Sequence, residues 1–186
     1  MKDLFSKIGA YFMDTLETVV VALAIFVICY LFFFQVHEIK GASMEPNFHD
    51  SERILTDKIS YRFRKPQRGE VIIFRAPKDR ELDYVKRIIG LPGEKIMVSG
   101  NDVYLNDQKL KETYVPEKIT NPGAFLTLNQ DFLIPEDEYV VMGDNRTHSS
   151  DSREWGTVNK DDIIGKVFIR FWPATNFSFI PKVKYD

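Results

Sequence analysis

Hydropathy along the chain shows one long apolar run and then short segments that alternate apolar with polar residues. The run covers residues 18–36, TVVVALAIFVICYLFFFQV, and holds no charge, proline or glycine. A helix needs about 20 mostly apolar residues to cross a bilayer core, so the run predicts a membrane-spanning helix with little tilt. A cleavable leader would carry a shorter apolar stretch of about 7–15 residues and then a small-x-small cut site. Here Phe32-Phe33-Phe34-Gln35-Val36-His37 offers only bulky or polar groups. A helix buried in a soluble core is the alternative, but the rest of the chain supplies no helical partners for it. The expected division is residues 1–17 as a cytoplasmic or interfacial segment, 18–36 as an uncleaved anchor, and 37–186 as a domain on the far side. Lys2 and Lys7 ahead of the run lean towards a cytoplasmic N-terminus. Leu4, Phe5, Ile8, Tyr11 and Phe12 fall near one side of the preceding segment, the pattern of a short interfacial helix.

After Lys40 the period shortens to that of strands. Candidates are residues 53–56, 70–75, 84–89, 95–99, 103–106, 139–142 and 166–171. Ser99-Gly100-Asn101-Asp102 reads as a hairpin turn, and Gly90-Leu91-Pro92-Gly93 as a strand end. One short helix is expected at 159–164, with Asn159 as its N-cap and Gly165 just past its end. Residues 111–137 are polar and proline-containing, a long excursion with room for one strand. Many short strands with little helix predict a mainly β domain, a β-sandwich or a partly closed barrel, behind one N-terminal transmembrane helix. The aromatic tail, Phe171, Trp172, Phe177, Phe179 and Ile180, is expected to pack into the core, with a bilayer-facing surface as the second reading.

Composition narrows the chemistry. The net charge of −2 gives no electrostatic footprint for nucleic acid. His37, His49 and His148 are far apart and no cysteine accompanies them, so no metal site or other cofactor is expected, and they read as scattered surface residues. The single cysteine, Cys29, excludes an internal disulfide and leaves the redox compartment open.

Three stretches carry candidate chemistry. Gly41-Ala42-Ser43-Met44-Glu45-Pro46 sets a serine among small residues, and a serine hydroxyl needs a base before it becomes a nucleophile. In Asp83-Tyr84-Val85-Lys86-Arg87-Ile88-Ile89-Gly90, strand alternation forces a lysine or an arginine to share a face with large apolar groups. A solvated, snorkelling charge is the plainer interpretation. A buried lysine would instead lose charge, because desolvation disfavours the ammonium. Bringing its pKa to about 8 takes roughly 3 kcal/mol of differential interaction. A neutral amine of that kind can accept a serine proton and later return it to a leaving amine. The third stretch, Gly143-Asp144-Asn145-Arg146-Thr147-His148-Ser149-Ser150-Asp151-Ser152-Arg153, is either a plain hydrophilic loop or a brace whose acids and arginines pair with one another.

At these stretches, and at Arg68-Gly69-Glu70-Val71-Ile72-Ile73-Phe74, the chain resembles bacterial type I signal peptidases, in particular the single-span form typical of Gram-positive bacteria. The resemblance runs from the anchor to the region of Trp172. It implies a membrane-anchored serine endopeptidase that removes signal peptides from exported preproteins, with a mostly antiparallel β domain outside the bacterial cell membrane. It implies Ser43 as nucleophile, Lys86 as general base, and Ser149 as the hydroxyl that positions the lysine, with Asp151, Arg153, Asp144 and Arg146 in support. His37 and His49 then need no catalytic role. The family often has a hydroxyl where Gly41 stands, so the oxyanion is expected to rest on backbone N–H groups, that of Ser43 first. Asn47 replaces a more usual threonine, with little expected effect. By position Ile39, Met44, Tyr84 and Val85 are candidates to line shallow pockets for small side chains. Two rivals remain: a self-cleaving repressor-type Ser/Lys protease, and an inactive membrane-tethered module that binds peptides.

Overall fold

The computed structural model describes residues 2–115, 122–183 and 185. Helix α1 (Lys2–Phe33) is continuous, so the segment before residue 18 extends the apolar helix rather than forming one of its own. Within α1, Tyr11–Phe33 is 23 residues of mean hydropathy 2.6, and none of its most apolar window is buried against the domain. At 1.5 Å per residue that stretch is about 35 Å long, enough to cross a bilayer core of about 30 Å. The helix stops three residues short of the expected 36. Phe34–Val36 opens strand β1 (Phe34–Glu38), where Phe34 lies opposite Asp57 and Val36 opposite Leu55. Lys58 N–H donates to the Phe33 carbonyl (3.0 Å), so a strand partner takes over where the helical ladder ends.

The main sheet runs β1, β2 (Arg53–Asp57), β11 (Ile163–Trp172), β3 (Val71–Arg75), β4 (Asp83–Gly90), β9 (Glu138–Met142), β10 (Val158–Asn159), with β12 (Ser178–Phe179) beside β11. A smaller sheet runs β7 (Gln108–Lys109), β6 (Asp102–Leu105), β5 (Lys95–Ser99), β8 (Phe132–Leu133). The ladders within both sheets are antiparallel and neither sheet closes into a barrel. The expected mainly β, antiparallel class therefore holds. The short helices α2 (Ser60–Phe63) and α3 (Ser152–Trp155) cap strand ends.

Alternation decides the core. On β3, Val71 and Ile73 enter one apolar cluster with Ile39, Met44, Phe48, Ile54 and Val167, while Ile72 and Phe74 enter another with Ile88, Tyr139, Val141 and Val158. β3 is thus covered on both faces, and β4 beside it is buried from Lys86 to Gly90. A third cluster joins Ile89 to the small sheet through Ile96, Val98, Val103 and Leu105.

Three local expectations are corrected. The helix at 159–164 is a single 3₁₀ turn, Lys160–Asp162, because β11 begins at Ile163 and draws Gly165 into the sheet. Asn159 does cap it, accepting from Asp161 N–H. Trp172, Phe177 and Phe179 are exposed rather than core, since β12 lies at the side of the sheet path. His37 is mostly buried, with Nδ1 3.0 Å from Thr56 Oγ1, whereas His49 and His148 are at the surface. Gly165 shows how close β11 and β2 run: a Cβ there would sit 2.3 Å from the Asp57 carbonyl oxygen. Gly165→Ala is expected to cost roughly 1–3 kcal/mol, measured as a lower Tm of the detergent-solubilised chain.

Candidate active site

Ser43 sits on a turn between β1 and β2, and Lys86 on the first half of β4. The turn is held from several sides. Asn145 N–H donates to Ser43 O (3.1 Å), and Asn145 Nδ2 donates to Ala42 O (3.0 Å). Asn47 Nδ2 donates to Asp144 Oδ2 (2.9 Å) and to Tyr114 O (3.0 Å). Arg170 Nη1 reaches Asn47 O (3.0 Å) and the buried Glu52 carboxylate (3.1 Å), which also accepts from His49 N–H. Gly143 lets the loop after β9 lie against this turn, because a Cβ there would be 2.4 Å from Ser43 O and 2.2 Å from Ser149 Oγ. Gly41 has φ +82°, a conformation that favours glycine over residues with a side chain. Its N–H donates to Asp50 Oδ1 (2.6 Å). Among the described residues no acceptor takes the Ser43 N–H.

Lys86 is 5% exposed, and its Nζ shares a hydrogen bond of 2.8 Å with Ser43 Oγ. The Tyr84 ring stands 5.7 Å from the amine. Burial lowers the pKa of the amine from 10.5 to about 8; Asp151 and Asp144 pull it up and Arg153 pushes it down. Desolvation wins because each of these acids is already committed to an arginine. Asp151 is bidentate with Arg153 (Nε–Oδ1 2.8 Å, Nη2–Oδ2 2.8 Å) and also accepts from Gly143 N–H. Asp144 is bidentate with Arg87 (2.8 and 2.6 Å), whose guanidinium also covers the Tyr114 ring at 4.5 Å. Burial alone would lower the Arg87 pKa, but Asp144 outweighs it and holds the group charged.

The loop therefore departs from the expected internal pairing. Asp151–Arg153 pairs within it, but Asp144 reaches β4, and Arg146 reaches Glu112 through its two terminal guanidinium nitrogens. Ser149 Oγ is buried without a hydrogen bond among the described residues, so the expected bond to Lys86 is not made. Asn47 and Asn145 carry more of the geometry than expected. Their bonds join positions 97 and 103 residues apart, which no local pattern encodes.

A groove of about 590 Å³ runs past the pair. Ile39, Tyr84 and Val85 line it as expected, with Ile54 and Ile73 in its floor. Met44 does not: it is fully buried in the cluster beneath, because the turn rolls that side chain inward. The groove lies between two bare strand edges. Among the described residues β1 pairs only with β2, and β4 pairs with β9 only from Arg87 onward, leaving Asp83–Lys86 open on that side.

A hydroxyl hydrogen-bonded to a desolvated amine, in a groove built to take an extended chain, defines a serine peptidase on a β scaffold. Comparison gives the family. Residues 12–172 match the family described as Signal peptidase, peptidase S26. Among curated relatives, Probable signal peptidase I-2 of Synechocystis is 38% identical over 163 residues, 85% of this chain and 72% of that one. Signal peptidase IB of Staphylococcus aureus is 34% identical over 181 residues, 89% and 94% of the two chains. A crystal structure of signal peptidase I from Enterococcus faecalis, 33% identical, covers 55% of this chain and 97% of its own at a TM-score of 0.46. The chain belongs to the signal peptidase family, S26.

Asp144→Ala would strand the Arg87 guanidinium, which is 3% exposed. A loss of roughly 3–5 kcal/mol is expected, read from denaturant unfolding in micelles.

Proposed function

We propose that this protein cuts signal peptides from exported preproteins, with Ser43 as nucleophile and Lys86 as general base. The observation that carries the reading is the 2.8 Å contact between Ser43 Oγ and an amine stripped of water. The apolar helix supports a single crossing of the bacterial cell membrane, with the N-terminus cytoplasmic and residues 37–186 outside. Anchor and substrate then share one bilayer surface, which raises their effective concentration.

The preprotein lies extended between the bare edges of β1 and β4, adding backbone hydrogen bonds as a strand would. Small side chains at the first and third positions before the cut meet the apolar floor at Ile39, Ile73 and Val85. Lys86 Nζ takes the Ser43 proton as Oγ bonds to the scissile carbonyl carbon. The Ser43 N–H faces the resulting oxyanion. The carbon–nitrogen bond breaks, and the Lys86 ammonium gives its proton to the departing amine. Water then loses a proton to Lys86 and attacks the ester. The carbon–oxygen bond breaks, the acyl group leaves as the signal peptide carboxylate, and Ser43 Oγ regains its proton. The ion pairs Arg153–Asp151 and Arg87–Asp144 keep the surrounding charge balanced through the cycle. An inactive peptide-binding module would have no use for a desolvated amine beside a serine. A repressor-type protease would not need the apolar helix.

Ser43→Ala and Lys86→Ala should each lower preprotein cleavage by at least about 10³-fold while the unfolding transition stays cooperative; full activity in either overturns the assignment. Because only the neutral amine accepts a proton, kcat/KM should rise with pH and level off above about 8. A profile flat between about pH 6 and 10 would count against a titrating lysine.

A further inference from the structure

The groove does not end at its apolar floor. On β4, Val85 and Asp83 share a face, two residues apart; His37 on β1 and Ile39 just past its end are likewise two residues apart and line the same groove. Ile39 and Val85 are apolar and lie near Ser43, whereas His37 and Asp83 are polar and lie nearer the end of α1. His37 Nε2 and Asp83 Oδ2 approach to 3.4 Å across the gap between the two strands. Glu38 and Glu81 line the same end, while Lys40 follows Ile39 towards the Ser43 turn. Burial lowers the His37 pKa although Asp83 pulls it up, so the ring is neutral at neutral pH. Asp83 is about one-third exposed and open to a ligand, whereas His37 Nε2 is buried without a hydrogen bond among the described residues.

We infer that His37 and Asp83 form a further substrate subsite, which takes a cationic or hydrogen-bond-donating side chain at the fifth position before the cut. The inference rests on the peptidase reading above and extends it along the chain. An extended peptide turns alternate side chains to one face at about 3.3 Å per residue. If the first and third positions face the floor, the fifth does too. The third then lies over Val85, and the fifth lies about 7 Å further on, over Asp83. The fourth position points away. The residues before the cut run towards α1, because in that reading the signal peptide emerges from the bilayer that α1 spans.

The test uses the full chain in detergent micelles and internally quenched peptides with alanine at the first and third positions. One set carries lysine, glutamine or glutamate at the fifth position; a second set varies the fourth in the same way. Wild type should favour lysine over glutamate at the fifth position by about fivefold in kcat/KM. Asp83→Asn should bring the two within about twofold, and Asp83→Lys should invert the order. Preferences at the fourth position should be the same in all three proteins. Cleavage with no fifth-position preference, a preference that survives Asp83→Lys, or an Asp83 effect at the fourth position would each overturn the subsite alone. Cleavage of none of the peptides by wild type would overturn the peptidase reading and the subsite with it.

Discussion

The site depends on the removal of water from one amine. Lys86 stands on a strand whose neighbours cover it, and burial outweighs the pull of two carboxylates on its proton. That balance holds because the two carboxylates that pull on it, Asp144 and Asp151, each have an arginine of their own. Asp144 belongs to Arg87, Asp151 to Arg153, and Glu112 to Arg146. An unpaired carboxylate beside the amine would favour the ammonium and undo the lowering that burial brings. The ion pairs thus matter less for their own stability, which is modest after desolvation, than for keeping the surroundings of the amine neutral. They also lock the loop after β9 against the Ser43 turn, so charge and position are set by the same contacts.

Much of the domain is visible in the chain itself. Period-two runs located the strands at 53–57, 71–75, 83–90, 95–99 and 138–142 within a residue or two, because each has at least one covered face. The stretch around Ser43 and Lys86 was recognisable, and the structure brings the two side chains together. Local pattern fails where a long-range partner decides. Phe34–Val36 looks like more helix until β2 offers it a ladder, and 159–164 looks like a helix until β11 claims its last two residues. Met44 has the right position for a pocket but the wrong direction, since the turn aims it into the core. Asp144 and Arg146 sit two residues apart and invite pairing, yet their partners come from 57 and 34 residues away. Nothing in the sequence around Asn47 shows that its amide ties the turn to Asp144.

The two sheets divide the labour. The small sheet and its cluster fix β4 from behind through Ile89, while the main sheet carries Lys86, the Ser43 turn and the groove. Helix α1 hands over to β1 without a linker, so the groove lies a fixed distance from the apolar helix rather than swinging on a tether.

The bare edges of β1 and β4 have another effect. An unpaired strand edge is ordinarily a template on which a second molecule can stack and begin to aggregate. Here the two vulnerable edges confront one another across a narrow gap, and His37 and Asp83 meet at one end of it. Only a slim, unfolded peptide can slip between them; a folded neighbour presenting its own sheet cannot. The geometry that leaves room for an extended chain leaves none, at these two edges, for another sheet.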